Sequence, residues 1–223
     1  MHQALSLSPG IAVWGDRFGN LHWPKALTLV NQLAALTRRS VSDGCDPANP
    51  ITYPPPPVLA AVGLSPASKR WFGTEIASAC LTRVLLNPRR HQMTGVFWTG
   101  HDDGSDPPTF AKDRTNITDA IGGMAAAYGH GRFVVIGLTI SYAVVALGAK
   151  EARIAINQAL LERFGERFID IATPLANYDP YDSLALANGW QGLQVSDDLI
   201  HLNTTGIGVV AKLVADRIAK LGY

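Results

Sequence analysis

Three short polar segments of this chain hold residues able to move a proton or fix a charge: Gly15-Asp16-Arg17, Gly100-His101-Asp102-Asp103 and Asp197-Asp198-Leu199-Ile200-His201. Asp198 and His201 stand three positions apart, so one short turn aims a carboxylate and an imidazole at a shared centre. A carboxylate in that position orients the ring and stabilises its protonated form, which prepares a general base. The same spacing in isolation also suits a capping or packing histidine, and only position separates the two roles. Arg17 poses a different question. Its guanidinium stays protonated up to a pH of about 12 and has no lone pair for attack, but it forms two-pronged bonds to carboxylates and phosphates.

Position comes from the elements around these segments. Short apolar runs at residues 11–14, 95–98, 133–138 and 168–171, with a further one near 40–42, read as strands and alternate with helical patterns. Pro24 suits a first helical position, followed by Leu27, Val30 and Ala34 at helical spacing. A second helix is expected over 75–86, with Ile76, Ala79, Cys80 and Val84 on one face, ending before Asn87-Pro88. Ile156, Leu160, Leu161 and Phe164 form a third stripe, and Ile207, Val210, Ala211, Val214, Ile218 and Leu221 a fourth. Alternation of this kind predicts a mainly parallel sheet between two helical layers, a three-layer α/β/α domain of flavodoxin-like type. Reactive groups in such a fold belong at the carboxyl ends of the strands. The first two polar segments directly follow strand candidates and the third precedes the last helix.

The chain has 223 residues, enough for one domain with a substantial core. A single domain over 1–223 is expected, interrupted by a proline-rich stretch at about 43–57 that reads as a stiff surface loop rather than a docking motif. With 19 Lys plus Arg against 18 Asp plus Glu, the balance of charge gives no reason to expect nucleic acid or an anionic membrane as partner. Cys45 and Cys80 are too few for a disulfide framework and read as buried thiols, a single bridge staying open. The stretch MHQALSLSPG lacks a basic region followed by a long apolar run, so no secretory signal is expected and the default compartment is the cytoplasm.

Taken in order, these blocks resemble those of the SGNH, or GDSL-type, hydrolases: esterases, lipases and carbohydrate deacetylases. Gly15-Asp16-Arg17 stands where that family has Gly-Asp-Ser, and Phe72-Gly73-Thr74-Glu75 is loosely similar to its glycine block. Gly100-His101-Asp102-Asp103 looks like its Gly-x-Asn-Asp block, and Asp198-x-x-His201-Leu202-Asn203 like its final block. The resemblance covers nearly the whole length. It implies an SGNH-hydrolase-like fold, His201 as base with Asp198 as its acid, and Gly73 and position 102 as oxyanion donors. Asp16, Asp103 and Trp98 would line the cleft. It further implies no cofactor and a small acyl ester or acetylated carbohydrate as substrate.

Two positions depart from the pattern. Arg17 replaces the nucleophile, and Asp102 replaces an amide donor with an acceptor that repels a developing oxyanion. Ser78 and Ser105 lie near the site in sequence, but nothing around them presents a nucleophile. Across one small cavity Arg17 and Asp102 would form a matched ion pair, filling both vacated roles. Three readings therefore stand: a hydrolase weakened or silenced in this form, a silent binding module with Arg17 as anchor for an acylated or anionic ligand, and a metal-dependent hydrolase. The last would draw on Asp16, His101, Asp102, Asp103, Asp198 and His201, but their spacing fits no metal motif and Arg17 would repel a cation. No metal is expected.

Overall fold

The run Ile11-Ala12-Val13-Trp14 alternates its side chains between two buried surfaces, and that alternation organises the molecule. The computed structural model describes residues 10–15, 29–43, 77–101, 110–140, 149–176 and 202–223. Among them five strands form one sheet: β1 (Ile11–Gly15), β2 (Val41–Asp43), β3 (Thr94–Trp98), β4 (Phe133–Ile136) and β5 (Phe168–Ile169). Their order is β2-β1-β3-β4-β5 and every pairing is parallel. The helices are α1 (Leu29–Thr37), α2 (Ala77–Leu86), α3 (Phe110–Tyr128), α4 (Lys150–Phe164), α5 (Ala172–Ala176) and α6 (Thr204–Lys220).

Period-two side-chain alternation sorts the strand residues into two cores. Ile11, Val13, Val96, Trp98, Val134 and Ile136 pack with Leu29 and Leu33 of α1 and with Val210 and Val214 of α6. Ala12, Trp14, Phe97 and Val135 pack on the other face with Cys80 and Val84 of α2, Ile121 and Met124 of α3, and Leu160 of α4. Both faces are covered, so β1, β4 and β5 are apolar along their length. The chain leaves β1 for β2 in one direction and reaches β3 in the other. Right-handed crossovers in opposite directions put α1 and α2 on opposite faces. Trp14 carries its own polar partner into the second core, donating its indole N–H to the Tyr128 hydroxyl at 2.6 Å. Burial drives the Tyr128 phenol well above its ordinary pKa, the bond from Trp14 opposing that rise only in part.

The observed elements follow the expected ones with definite corrections. The strands expected over 133–138 and 168–171 end at Ile136 and Ile169, and the one near 40–42 is Val41–Asp43. Leu161 does not belong to the buried stripe of α4: it is 44% exposed, and the buried face is Arg153, Ile156 and Leu160. In α1 the fully buried residues are Leu29 and Leu33, with Val30 packed beside them, while Pro24 and Leu27 lie outside the described residues. So do Glu75 and Ile76, Cys45, Ser105 and residues 44–57 of the proline-rich stretch expected over 43–57, whose first residue, Asp43, ends β2. Cys80 is a buried thiol, as expected. Helix α3 is expected from the sequence only as a helix preceding the loop at His130, without bounds or an apolar stripe. Its buried positions Ile117, Ala120, Ile121, Met124 and Tyr128 keep helical spacing, but the pair Gly122-Gly123 breaks the propensity signal. Gly123 has a packing reason, since a Cβ there would lie 3.0 Å from the Leu81 side chain of α2. Among the described residues no helix is long and apolar enough to cross a membrane.

Candidate functional site

Because β2 and β3 lie on opposite sides of β1, the strand order reverses between β1 and β3. In open α/β sheets the crevice beyond the carboxyl ends of the strands at that reversal is where ligands bind. The two strands end level there, Gly15 pairing with Trp98. They are also unusually close. A Cβ on Gly15 would meet the Trp98 carbonyl oxygen at 2.4 Å, so only glycine fits the last position of β1. Asp16 and Arg17 come next in the chain, and their own placement lies outside the described residues.

Beyond β3 the chain is pinned residue by residue. Trp98 is fully buried in the core shared with α1 and α6, and stands edge-on to the His101 ring with centroids 5.8 Å apart. The Thr99 hydroxyl donates to the Cys80 sulfur at 3.4 Å, tying the turn to α2. Gly100 turns the chain at φ 111°, and a Cβ there would meet Ile117 at 3.0 Å, so this glycine is required both by conformation and by space. His101 is 7% exposed. Its Nε2 accepts the Thr139 backbone N–H at 3.2 Å, which requires that nitrogen to be unprotonated and stitches the end of β3 to the end of β4. That bond also occupies the nitrogen lone pair a metal ion would need. Among the described residues no group of three His, Cys, Asp or Glu could hold a metal ion.

The floor of this corner comes from α4, which sequence reasoning did not connect with the site. Arg153, 6% exposed, donates to the His101 carbonyl at 2.8 Å. One turn later the Asn157 carboxamide closes a two-way bond with residue 138, accepting the Leu138 N–H at 2.7 Å and donating to the Leu138 carbonyl at 2.9 Å. The signal for Arg153 was present in the sequence. It lies three residues before Ile156 and seven before Leu160, so it continues the apolar stripe with a charged residue, and a buried guanidinium must be held by hydrogen bonds. Arg153→Met is expected to cost about 2 kcal/mol in chemical unfolding, because it strips a charged donor from a buried carbonyl.

Residues 202 and 203, which follow the third segment in the chain, lead into α6. Leu202 is buried with the α1 and α6 core, and Asn203 caps α6, its Oδ1 accepting the Gly206 N–H at 3.0 Å. The Gln32 side chain of α1 donates to the Thr204 carbonyl at 3.3 Å. Asn203 is thus a helix cap, and Asn203→Ala is expected to cost about 1 kcal/mol, read as a lowered denaturation midpoint. A groove of about 550 Å³ runs along the next turns of α6 beside Pro174, but its charged groups, Lys212 and Asp216, pair with each other at 2.7 Å.

Of the residues singled out from the sequence, Trp98 and His101 are therefore placed, both at the end of β3. Asp16, Arg17, Gly73, Asp102, Asp103, Asp198 and His201 lie outside the described residues. Compared with models of protein families, with curated proteins and with solved structures, the chain matches none of them.

Proposed function

We propose that the chain is an ester hydrolase of SGNH, or GDSL, type whose serine chemistry is blocked at Arg17, with acyl esters or O-acetyl groups on carbohydrates as substrate class. The observation that supports this reading most is the level ending of β1 and β3 at the reversal of strand order. Gly15-Asp16-Arg17 and Gly100-His101-Asp102-Asp103 follow those two ends in the chain, and ligands of open α/β sheets bind beyond strand ends at such a reversal.

In this reading Asp198 orients His201, which acts as general base, and Gly73 with position 102 faces the oxygen that becomes negative in the tetrahedral intermediate. Arg17 supplies no nucleophile. Its charge answers Asp102, and His201 retains the ability to activate a water molecule for slow hydrolysis without a covalent intermediate. The test is hydrolysis of a short activated ester by the parent chain, by Arg17→Ser and by Arg17→Ser with Asp102→Asn.

A second reading, a non-catalytic protein that binds a small acylated or anionic ligand in the same crevice, rests on the guanidinium at position 17. It predicts that both variants stay inert while the parent chain binds a carboxylate or phosphate ligand and loses it on Arg17→Ser.

A further inference from the structure

The opposite edge of the sheet, where the strands begin, gathers cations. Arg38 and Arg39 stand in the turn that enters β2, and Arg89, Arg90 and His91 in the one that enters β3. His130 and Arg132 precede β4, Arg167 precedes β5, and α6 ends with Arg217 and Lys220. The end of α6 is drawn to this edge through Tyr223, whose backbone oxygen accepts from Arg39 at 3.0 Å and whose hydroxyl accepts from Arg167 at 3.1 Å. Among the described residues the acidic side chain in these turns is Glu166 alone. Leaving Arg39 aside, none of these arginines and lysines is in an ion pair with a described carboxylate.

Backbone carbonyls hold the arginines in place without neutralising them. Arg90 donates to the Ala127 carbonyl at 2.7 Å and to that of Asn87 at 2.8 Å, Arg132 to His91 at 3.2 Å, and Arg167 to Gly131 at 3.0 Å. Carbonyls at helix ends carry partial negative charge, which accounts for arginines there but leaves their full positive charge standing. A guanidinium has five N–H donors, so these bonds aim each group and leave donors of Arg90, Arg132 and Arg167 for an incoming acceptor. The like charges press on one another. Burial first, then the charge of Arg132, lowers the pKa of both Arg39 and His130.

We infer that this edge is a binding surface for the phosphate backbone of a nucleic acid strand. Five strands set the row of cations at roughly 20 Å long, enough for several successive phosphates and too long for one small anion. The arginine fork matches phosphate, and groups already held by carbonyls lose less freedom on binding. An anionic membrane fits less well. The edge has no exposed Phe, Trp or Tyr side chain among the described residues, and the exposed Leu36 and Leu85 sit on α1 and α2, which cover opposite faces of the sheet. The net charge of +1 conceals this surface because it averages over the whole chain. The site is independent of the hydrolase reading, which concerns the other edge.

The experiment is fluorescence anisotropy of a labelled single-stranded oligonucleotide of about 20 nucleotides titrated with the full chain at 50 to 200 mM salt. Binding with a dissociation constant of about 10 μM at the low-salt end is expected, with a log–log salt slope near −3 for about four phosphates contacted. The triple change Arg38→Glu, Arg89→Glu, Lys220→Glu alters exposed side chains at this edge and should weaken binding at least ~10-fold with an unchanged melting temperature. Arg114→Glu, Lys150→Glu, Lys212→Glu makes the same change in net charge away from the edge and should leave most of the affinity. No binding by the parent chain at low salt overturns the proposal, as does equal weakening by the two triple variants. Binding to phosphatidylserine vesicles with none to the oligonucleotide overturns it in favour of a membrane.

Discussion

Arg17→Ser is expected to raise hydrolysis of a short activated ester about 1000-fold over the parent chain and to produce a burst of acyl-enzyme. The magnitude comes from two opposing effects. Removing the serine of a Ser-His-Asp hydrolase costs about 10⁶ in turnover, and the loss of one oxyanion donor costs about 10² to 10³. A chain with its serine restored but with Asp102 still in the donor position therefore recovers the first factor less the second. Adding Asp102→Asn returns an N–H donor where charge develops, and a further rise of about 100-fold is expected. Stopped-flow release of the chromophoric alcohol separates acylation from turnover. If both variants remain at the parent rate while melting normally, the hydrolase reading fails and the ligand-binding reading takes its place.

The second large effect is on stability. Gly15→Ala is expected to cost about 3 kcal/mol, near the upper end for forcing atoms into a packed interior. The obstruction is backbone: the new Cβ would lie 2.4 Å from the Trp98 carbonyl oxygen, and neither strand has a side-chain rotamer to give way. Relief requires β1 and β3 to part at the end where the candidate crevice opens, so the variant should also weaken whatever binds there. Urea unfolding of parent and variant, compared at equal slope, measures the first consequence. A cost below about 0.5 kcal/mol, the range of ordinary surface changes, would mean that the strand ends separate easily and that the crevice is not held by that contact.

Smaller effects are expected at two turns. Arg153→Met and Asn203→Ala each remove a hydrogen bond that fixes a turn beside the crevice, and both act on stability before they act on chemistry. Oligonucleotide binding concerns the opposite edge, and its outcome leaves the ester question untouched.

Much of the fold is legible in the chain because it rests on local pattern. Apolar runs such as 11–14 and 95–98 are strands, and the stripe from Ile207 to Ile218 is a helix buried along that stripe. Period and hydrophobicity are sufficient there, since each element must bury one face or both. The bounds and apolar stripe of helix α3 escaped because Gly122 and Gly123 weaken the local signal while α2 and α4 supply the packing that keeps it helical. Leu161 misled because an apolar residue beside a stripe carries no mark of which way the helix turns it, and in α4 the buried neighbour is Arg153 instead. Of the residues that the sequence put forward for the candidate site, Trp98 and His101 are placed at the end of β3.

By itself the amino-acid sequence determined an alternating α/β chain, the positions of most strands and helices, and an arginine directly after Gly15-Asp16. Tertiary structure alone decided which strand lies beside which, and so put the reversal of order between β1 and β3. It also showed why position 15 admits only glycine, set Arg153 under the His101 carbonyl, and drew to one edge cations that are scattered along a nearly neutral chain. The physical reason is common to all of these. Hydrophobic period acts between neighbours in sequence, whereas strand order, close backbone approach and accumulated charge depend on residues many positions apart that meet only when the sheet is assembled.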